Sequence, residues 1–211
     1  MHLHTRGSFD CLSDPLVVLE RALAQGIDRI CITDHNEIDT AVALQRAYPD
    51  RVIVGEEVKT AESVDIIGLF LTEKIPKGTP ARETCERIRA QGGIVYVPHP
   101  FASGKGGGGV ILDSIEDLID AVEGFNARIH DPALNERAVT WARERDIPVG
   151  AGSDAHTPGE IGRAWAEVPP FEGPAEFTDA LRRGTIHGTS SSRMVHLAST
   201  WAKVHKRLVR T

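Results

Sequence analysis

Arg29-Ile-Cys-Ile-Thr-Asp-His35 decides the fold: a short Ile-rich run that ends directly on an acid and an imidazole. Apolar runs of roughly four to eight residues read as buried strands. The same design recurs along the chain. Arg51-Val-Ile-Val54 runs into Gly55-Glu-Glu57, Gly93-Ile-Val-Tyr-Val97 into Pro98-His-Pro100, and Ile147-Pro-Val-Gly150 towards Gly152-Ser-Asp-Ala-His156. Asp65-Ile-Ile-Gly-Leu-Phe-Leu71 and Ala121-Val-Glu-Gly-Phe125 complete the predicted strands. Helical patterns lie between them. One covers 14–25, with Ser13 available as its cap and Gly26 as its stop. Others cover 38–47, 80–91 (from Pro80 to just before Gly92-Gly93), 132–145 and 174–183. Ser114-Ile-Glu-Asp117 reads as a capping box opening a helix to about Asp120. This alternation predicts an α/β fold with a mostly parallel sheet, closed into a barrel or open and doubly wound.

With 211 residues, 41% hydrophobic and 26% charged, the chain is expected to form one soluble domain spanning 1–211. The formal charge of −6 argues against a general nucleic-acid coat, which needs a basic face, but leaves a nucleotide open as a small substrate. Cys11, Cys31 and Cys85 form no CxxC pair and read as reduced thiols, so the expected compartment is the cytoplasm. No apolar run approaches the ~20 residues that span a bilayer. No protein partner is predicted, and the oligomeric state is not readable. Gly104-Lys-Gly-Gly-Gly-Gly109 has neither Walker nor Rossmann spacing and reads as a mobile loop, or a lid beside His99. At 193–211 a basic C-terminal helix is expected. Leu197, Trp201, Val204 and Leu208 form its stripe, Lys203, Lys206, Arg207 and Arg210 cover the rest, and it packs on the body.

The chemistry sits at the ends of the strands. In His2-Leu-His4 the two imidazoles, two residues apart in an extended segment, point the same way and can reach one cation. Asp154 and His156 repeat that spacing. Histidines or carboxylates follow at least four apolar strands, and parallel strands bring their C-terminal ends to one face. Mixed imidazole and carboxylate donors suit Zn, Mn or Fe rather than Mg or Ca. These donors exceed the needs of one tetrahedral ion. A carboxylate such as Glu57 can bridge two ions, whose bound water then serves as nucleophile. The absence of a G-x-S-x-G elbow or a Cys-His signature agrees with a reaction that uses no protein nucleophile.

Taken in order, H-x-H, I-T-D-H, G-E-E, P-H-P and G-S-D-A-H resemble the PHP (polymerase and histidinol phosphatase) family from His2 to about His156. The resemblance implies a distorted (β/α)7 barrel with two or three divalent ions at the strand C-termini. It also implies hydrolysis of a phosphomonoester or of a small nucleotide or cyclic phosphodiester. By it His2, His4, Glu57 and Asp154 hold a first ion, Glu57 and His99 a second, and His35, His156 and Asp10 a third. Asp10 or water is then the proton donor to the leaving group. Glu57 is matched rather than Glu56. Where many members carry a His at the start of the third strand this chain has Asp65, either a ligand or a solvated strand-start residue. With Met1 directly before His2, the first strand is expected to be short or frayed, loosening His2. Arg163 is the first choice for a phosphate contact, ahead of Arg128 and Arg6, and Asn126 is a candidate pocket residue. His130, His187, His196 and His205 read as non-ligands. The rival readings are a barrel amidohydrolase, in which Lys59 is the residue to watch as a bridging ligand, and a metal-binding regulatory protein without turnover.

Overall fold

The computed structural model describes residues 1–102 and 106–209. Gly104, Lys105 and Arg210, named above, lie outside them. Six strands form one sheet in chain order: β1 (Ile30–His35), β2 (Val52–Lys59), β3 (Asp65–Leu69), β4 (Ile94–Val97), β5 (Ala121–Asn126) and β6 (Val149–Gly152). The pairs β1–β2, β4–β5 and β5–β6 are parallel. β3 departs from expectation and runs antiparallel to both of its neighbours. Only residues 60–64 join β2 to β3, and a parallel return needs a crossover of a dozen or more residues. The fold is mixed α/β with a curled half-barrel sheet, and the barrel implied above is met in this coarser form.

Both faces of the sheet are covered, so its strands are apolar at nearly every position. Ile30, Ile32, Val52, Val54, Ile66, Val95 and Val97 face one core with Val18 and Leu19 of α1 (Pro15–Leu23), Ala41 and Leu44 of α2 (Asp39–Ala47), and Ile88 of α3 (Ala81–Ala90). The alternate residues Cys31, Ile53, Ile67 and Tyr96 face a second core, closed by Phe177 and Leu181. That second set, continued along the strands, leads to His35 and Glu57. The side-chain alternation of a strand therefore aims the ligand positions inward.

The helices fall where their patterns put them, with two changes at their ends and one in facing: Leu197, Trp201, Val204 and Leu208 of the C-terminal helix, expected to pack on the body, are exposed, and Ser199 and Ala202 face inward instead. Asp14, not Ser13, caps α1 by accepting from Leu16 N, while Ser13 Oγ donates to His156 O. Ser114 caps nothing. α4 (Leu112–Ile115) starts before it, its Oγ donates back to Ile111 O, and a 3-10 turn over Glu116–Leu118 follows. α5 (Pro132–Glu144), α6 (Gly173–Arg183) and α7 (Val195–Val209) complete the helices. An antiparallel pair of β7 (Ala164–Glu167) and β8 (Thr185–Gly188), joined through α6, was not expected. Its strands are short and half-exposed, so they carry no apolar run.

Residues 1–5 join the two edges of the sheet. Met1 N donates to Ala151 O, Asp154 N to His2 O, and His4 N to Ala155 O, while Thr33 N donates to Leu3 O on the β1 side. Only the single bridge Leu3–Ala155 counts as strand, yet His2 is fully buried. The first strand is short, as expected, but His2 is held rather than loosened, because Asp154 N bonds its carbonyl and Thr33 bonds Leu3 next to it.

Candidate metal centre

Eight side chains from separate elements converge at the C-terminal ends of the parallel strands. His2 and His4 come from the joining segment, and Asp10 from the loop after it. His35 ends β1, directly across the pairing from Glu57 on β2. His99 follows β4, and Asp154 and His156 follow β6. His2 Nε2 lies 3.1 Å from His4 Nε2 and 3.2 Å from Glu57 Oε2. Glu57 also reaches His35 Nδ1 at 3.1 Å and, through its other oxygen, His99 Nε2 at 3.3 Å. Asp154 Oδ1 is 3.4 Å from His4 Nε2 and 3.5 Å from His156 Nδ1. Asp10 lies 3.4 Å from His156 Nε2 and 3.7 Å from His35 Nε2. Three donor triplets form in this way: His2-His4-Asp154, His2-Glu57-His99 and His4-His35-His156. His99 (φ 28°) and Asp154 (φ 49°) sit in the left-handed backbone region, a strained setting for non-glycine residues. Both are anchored there, His99 N donating to Glu123 Oε2 and Asp154 N to His2 O.

A family model described as PHP-associated matches residues 132–186. Uncharacterized protein MJ1587 of Methanocaldococcus jannaschii is 39% identical over 153 residues, 66% of this chain and 87% of that protein. Uncharacterized protein MJ0417 of the same organism is 32% identical over 194 residues, 86% of this chain and 78% of that protein. A two-domain protein containing a predicted PHP-like metal-dependent phosphoesterase from Bacteroides vulgatus superposes with a TM-score of 0.69 at 17% identity, over 95% of this chain and 68% of that one. The chain belongs to the PHP family.

PHP membership implies divalent ions, and hydrogen-bond accounting tests whether these residues fit them. His2 Nδ1 faces Glu123 Oε1 at 3.0 Å, and a carboxylate only accepts, so this nitrogen carries the proton and Nε2 offers a lone pair. His4 Nδ1 lies 2.9 Å from Ser8 Oγ. The Ser8 hydroxyl spends its one proton on Asp34 Oδ1 at 2.8 Å, so it accepts from His4 Nδ1–H and from His35 N. His4 Nε2 therefore offers a lone pair as well. Two imidazole lone pairs thus meet the oxygens of Glu57 and Asp154, and acceptors at these distances repel unless a cation lies among them. Beside them His99 Nδ1 and Asp10 Oδ1 are buried without a hydrogen-bond partner among the described residues. The residues fit divalent ions bound through nitrogen and oxygen.

Electrostatics agree. Burial resists ionisation of Glu57, yet the imidazoles of His35 and His2 hold it well below the usual carboxylate range. Burial acts likewise on Asp154 and is overcome by His2, His4 and His156. His2 is raised well above an ordinary histidine, because Glu123, Glu57 and Asp154 outweigh its burial. Without an ion, a proton supplies the positive charge that these carboxylates require.

Most sequence-matched ligands of the PHP pattern meet in space, with corrections beside them. Glu56 points to the other face of β2, where its Oε2 accepts from Ile75 N at 2.8 Å, so Glu57 is the neighbour that joins the centre. Asp65 stands next to the cluster but pairs with Lys59 Nζ at 2.6 Å, and it belongs to none of the triplets. The same pairing engages Lys59, the residue the amidohydrolase reading needs. Arg163 is exposed at the start of β7, with no bond to the cluster among the described residues. Arg6 pairs with Asp14 at the surface. Arg128, rated below Arg163, is buried, lies 3.0 Å from His156 Nδ1 and donates to Glu160 at 2.8 Å. Asn126 is buried, with Nδ2 2.8 Å from Glu123 and 3.4 Å from Asp154. His130, His187, His196 and His205 join no triplet among the described residues.

Sequence reasoning missed three supporting groups. Glu123 orients His2. Its signal was a carboxylate within an apolar strand, on the same face as Ala121. Gly152 makes room for it, since a Cβ there would lie 1.9 Å from Glu123 Oε1. Asp34 ties down the loop bearing Asp10, accepting from Thr5 N and from Ser8 N and Oγ. Lys203, on α7, reaches within 3.6 Å of Asp10. A cavity of about 970 Å³ lies elsewhere, lined by Arg29, Cys31, Arg51 and Trp165 near the opposite strand ends.

Proposed function

We propose that this PHP protein is a metal-dependent hydrolase of phosphate esters, acting on a small phosphorylated substrate such as a nucleotide. The observation that carries this reading is the meeting of the His2 and His4 lone pairs with Glu57 and Asp154. Divalent ions bound there would supply an activated water and offset the charge that grows on the phosphoryl oxygens. His2, His4, Glu57 and Asp154 would hold one ion, Glu57 and His99 a second, and Asp10, His35 and His156 a third. Glu123 and Ser8 keep the ring protons of His2 and His4 on the nitrogens that face away from the ions. Of the two expected proton donors to the departing alcohol, water suits better than Asp10, whose carboxyl, despite its burial, is held below the usual carboxylate range by His156, His35 and His4 and would ligate the third ion. Arg128 keeps His156 in place instead of meeting substrate, its guanidinium being committed to Glu160.

The test is to load the protein separately with Mn, Zn and Fe and to screen phosphomonoesters, cyclic phosphates and dinucleotides. Glu57→Gln and Asp154→Asn should each lose bound metal and at least about a thousandfold in kcat/KM, as expected when charge-stabilising groups are removed. Hydrolysis of N-acyl amino acids with no phosphoester turnover would overturn the reading in favour of an amidohydrolase. Tightly bound ions with no turnover of any substrate would overturn it in favour of a regulatory protein.

A further inference from the structure

α7 is tied over the open edge of the centre at both of its ends. Near its start Arg128 donates to Val195 O and to Ser199 Oγ, at 3.1 and 2.7 Å. Near its end Lys206 Nζ donates to the carbonyls of Arg6 and Ser8, in the loop that carries Asp10. Between these ties the helix delivers Lys203. Its ammonium lies 3.6 Å from Asp10 Oδ2 and 5.2 Å from the centroid of the Phe9 ring. That ring in turn sits 5.1 Å from the His35 ring. Phe9 keeps 48% of its surface exposed and the Lys203 side chain 43%, so this edge opens to solvent.

A phosphate at the centre turns some oxygens towards the ions and others outward. The outward ones need a cation that is not bound up in the scaffold. Arg128 is committed to Glu160, Lys59 to Asp65 and Arg6 to Asp14. Lys203 differs from these. Its present partner, Asp10, would give up its charge to an ion, and the flexible stem of a lysine then lets the ammonium swing to a new acceptor. The Phe9 face keeps it near the mouth through the attraction between cation and ring.

We propose that Lys203 is a substrate-binding residue that takes the outward oxygens of a phosphate seated at the centre, and that α7 is the element that brings it there. This rests on the phosphoesterase reading above.

The experiment compares the wild type with Lys203→Met, Lys203→Arg and Arg207→Met. The last removes the same charge from the exposed side of the same helix. Metal content, the affinity of the Mn-loaded protein for inorganic phosphate by calorimetry, and KM and kcat for an aryl phosphate are measured. Lys203→Met should keep its metal, bind inorganic phosphate about tenfold or more weakly and show a raised KM, as loss of a charge-assisted contact implies. Lys203→Arg should recover most of that loss, and Arg207→Met should match the wild type. Unchanged phosphate affinity in Lys203→Met overturns the proposal. So does loss of metal in that variant, or an equal loss of affinity in Arg207→Met. A wild type that hydrolyses no phosphoester refutes the functional reading, while the phosphate comparison still decides the role of Lys203.

Discussion

Glu123→Gln should weaken metal binding at the centre while leaving the fold in place. Glu123 receives three donors: His2 Nδ1 at 3.0 Å, His99 N at 2.8 Å and Asn126 Nδ2 at 2.8 Å. Two of them converge on Oε2, so a glutamine will keep its carbonyl oxygen there and turn its NH2 towards His2. Donor then meets donor, and His2 must move its proton from Nδ1 to Nε2. The Nε2 lone pair that faces Glu57 and His4 disappears. The lost contact is a hydrogen bond to a charged group, worth about 1.5–3 kcal/mol. That corresponds to about 10- to 100-fold in metal affinity, the usual range for a residue that orients a ligating histidine. Titration of Mn or Zn into chelator-treated protein reads the loss, and thermal unfolding of the metal-free form checks the fold. A variant that binds metal within about twofold of the wild type would refute the tautomer argument, and with it the lone-pair reading of the centre.

Two further predictions concern stability. Arg128→Met leaves the Glu160 carboxylate buried without its partner, which should cost about 3–5 kcal/mol, while Met at the exposed Arg163 should change nothing. At about 2–4 °C per kcal/mol, the melting point of Arg128→Met falls by about 10 °C, measurable by calorimetry. Burial pushes the Glu56 carboxyl up to about 7 from 4.5. The folded state therefore holds this proton while the unfolded chain releases it, so stability falls as pH rises from about 4.5 to about 7 and stays lower above. Glu56→Gln removes that penalty, stabilising the protein by up to about 3 kcal/mol at pH 8 and far less near pH 5. Urea unfolding at the two pH values measures it, and an equal effect at both would contradict the argument.

Much of the centre was legible because each ligand motif stands directly after a strand, where sequence position and side-chain direction are tightly linked. His2-Leu-His4 and Asp154-Ala-His156 needed only the two-residue period, while Glu57 was chosen over Glu56 by matching the family pattern. The direction of β3 was not legible from the run itself, since a strand reads alike in either sense. Only the shortness of the 60–64 link forbids a crossover. The β7–β8 pair escaped because half-exposed strands carry little apolar pattern. Arg163 was preferred over Arg128 on nearness to a motif along the chain. Burial reversed that order, for Arg128 enters the core beside His156 while Arg163 points outward.

The amino-acid sequence alone determined which residues could act and which way each faces from its own strand, because backbone geometry sets that locally. Tertiary structure decided which of them meet. Glu123 finds His2 only because Gly152 lets β6 approach closely, and Lys203 finds Asp10 only because α7 docks on a loop at the far end of the chain. Such encounters depend on packing between segments remote in sequence, a relation that no local period encodes.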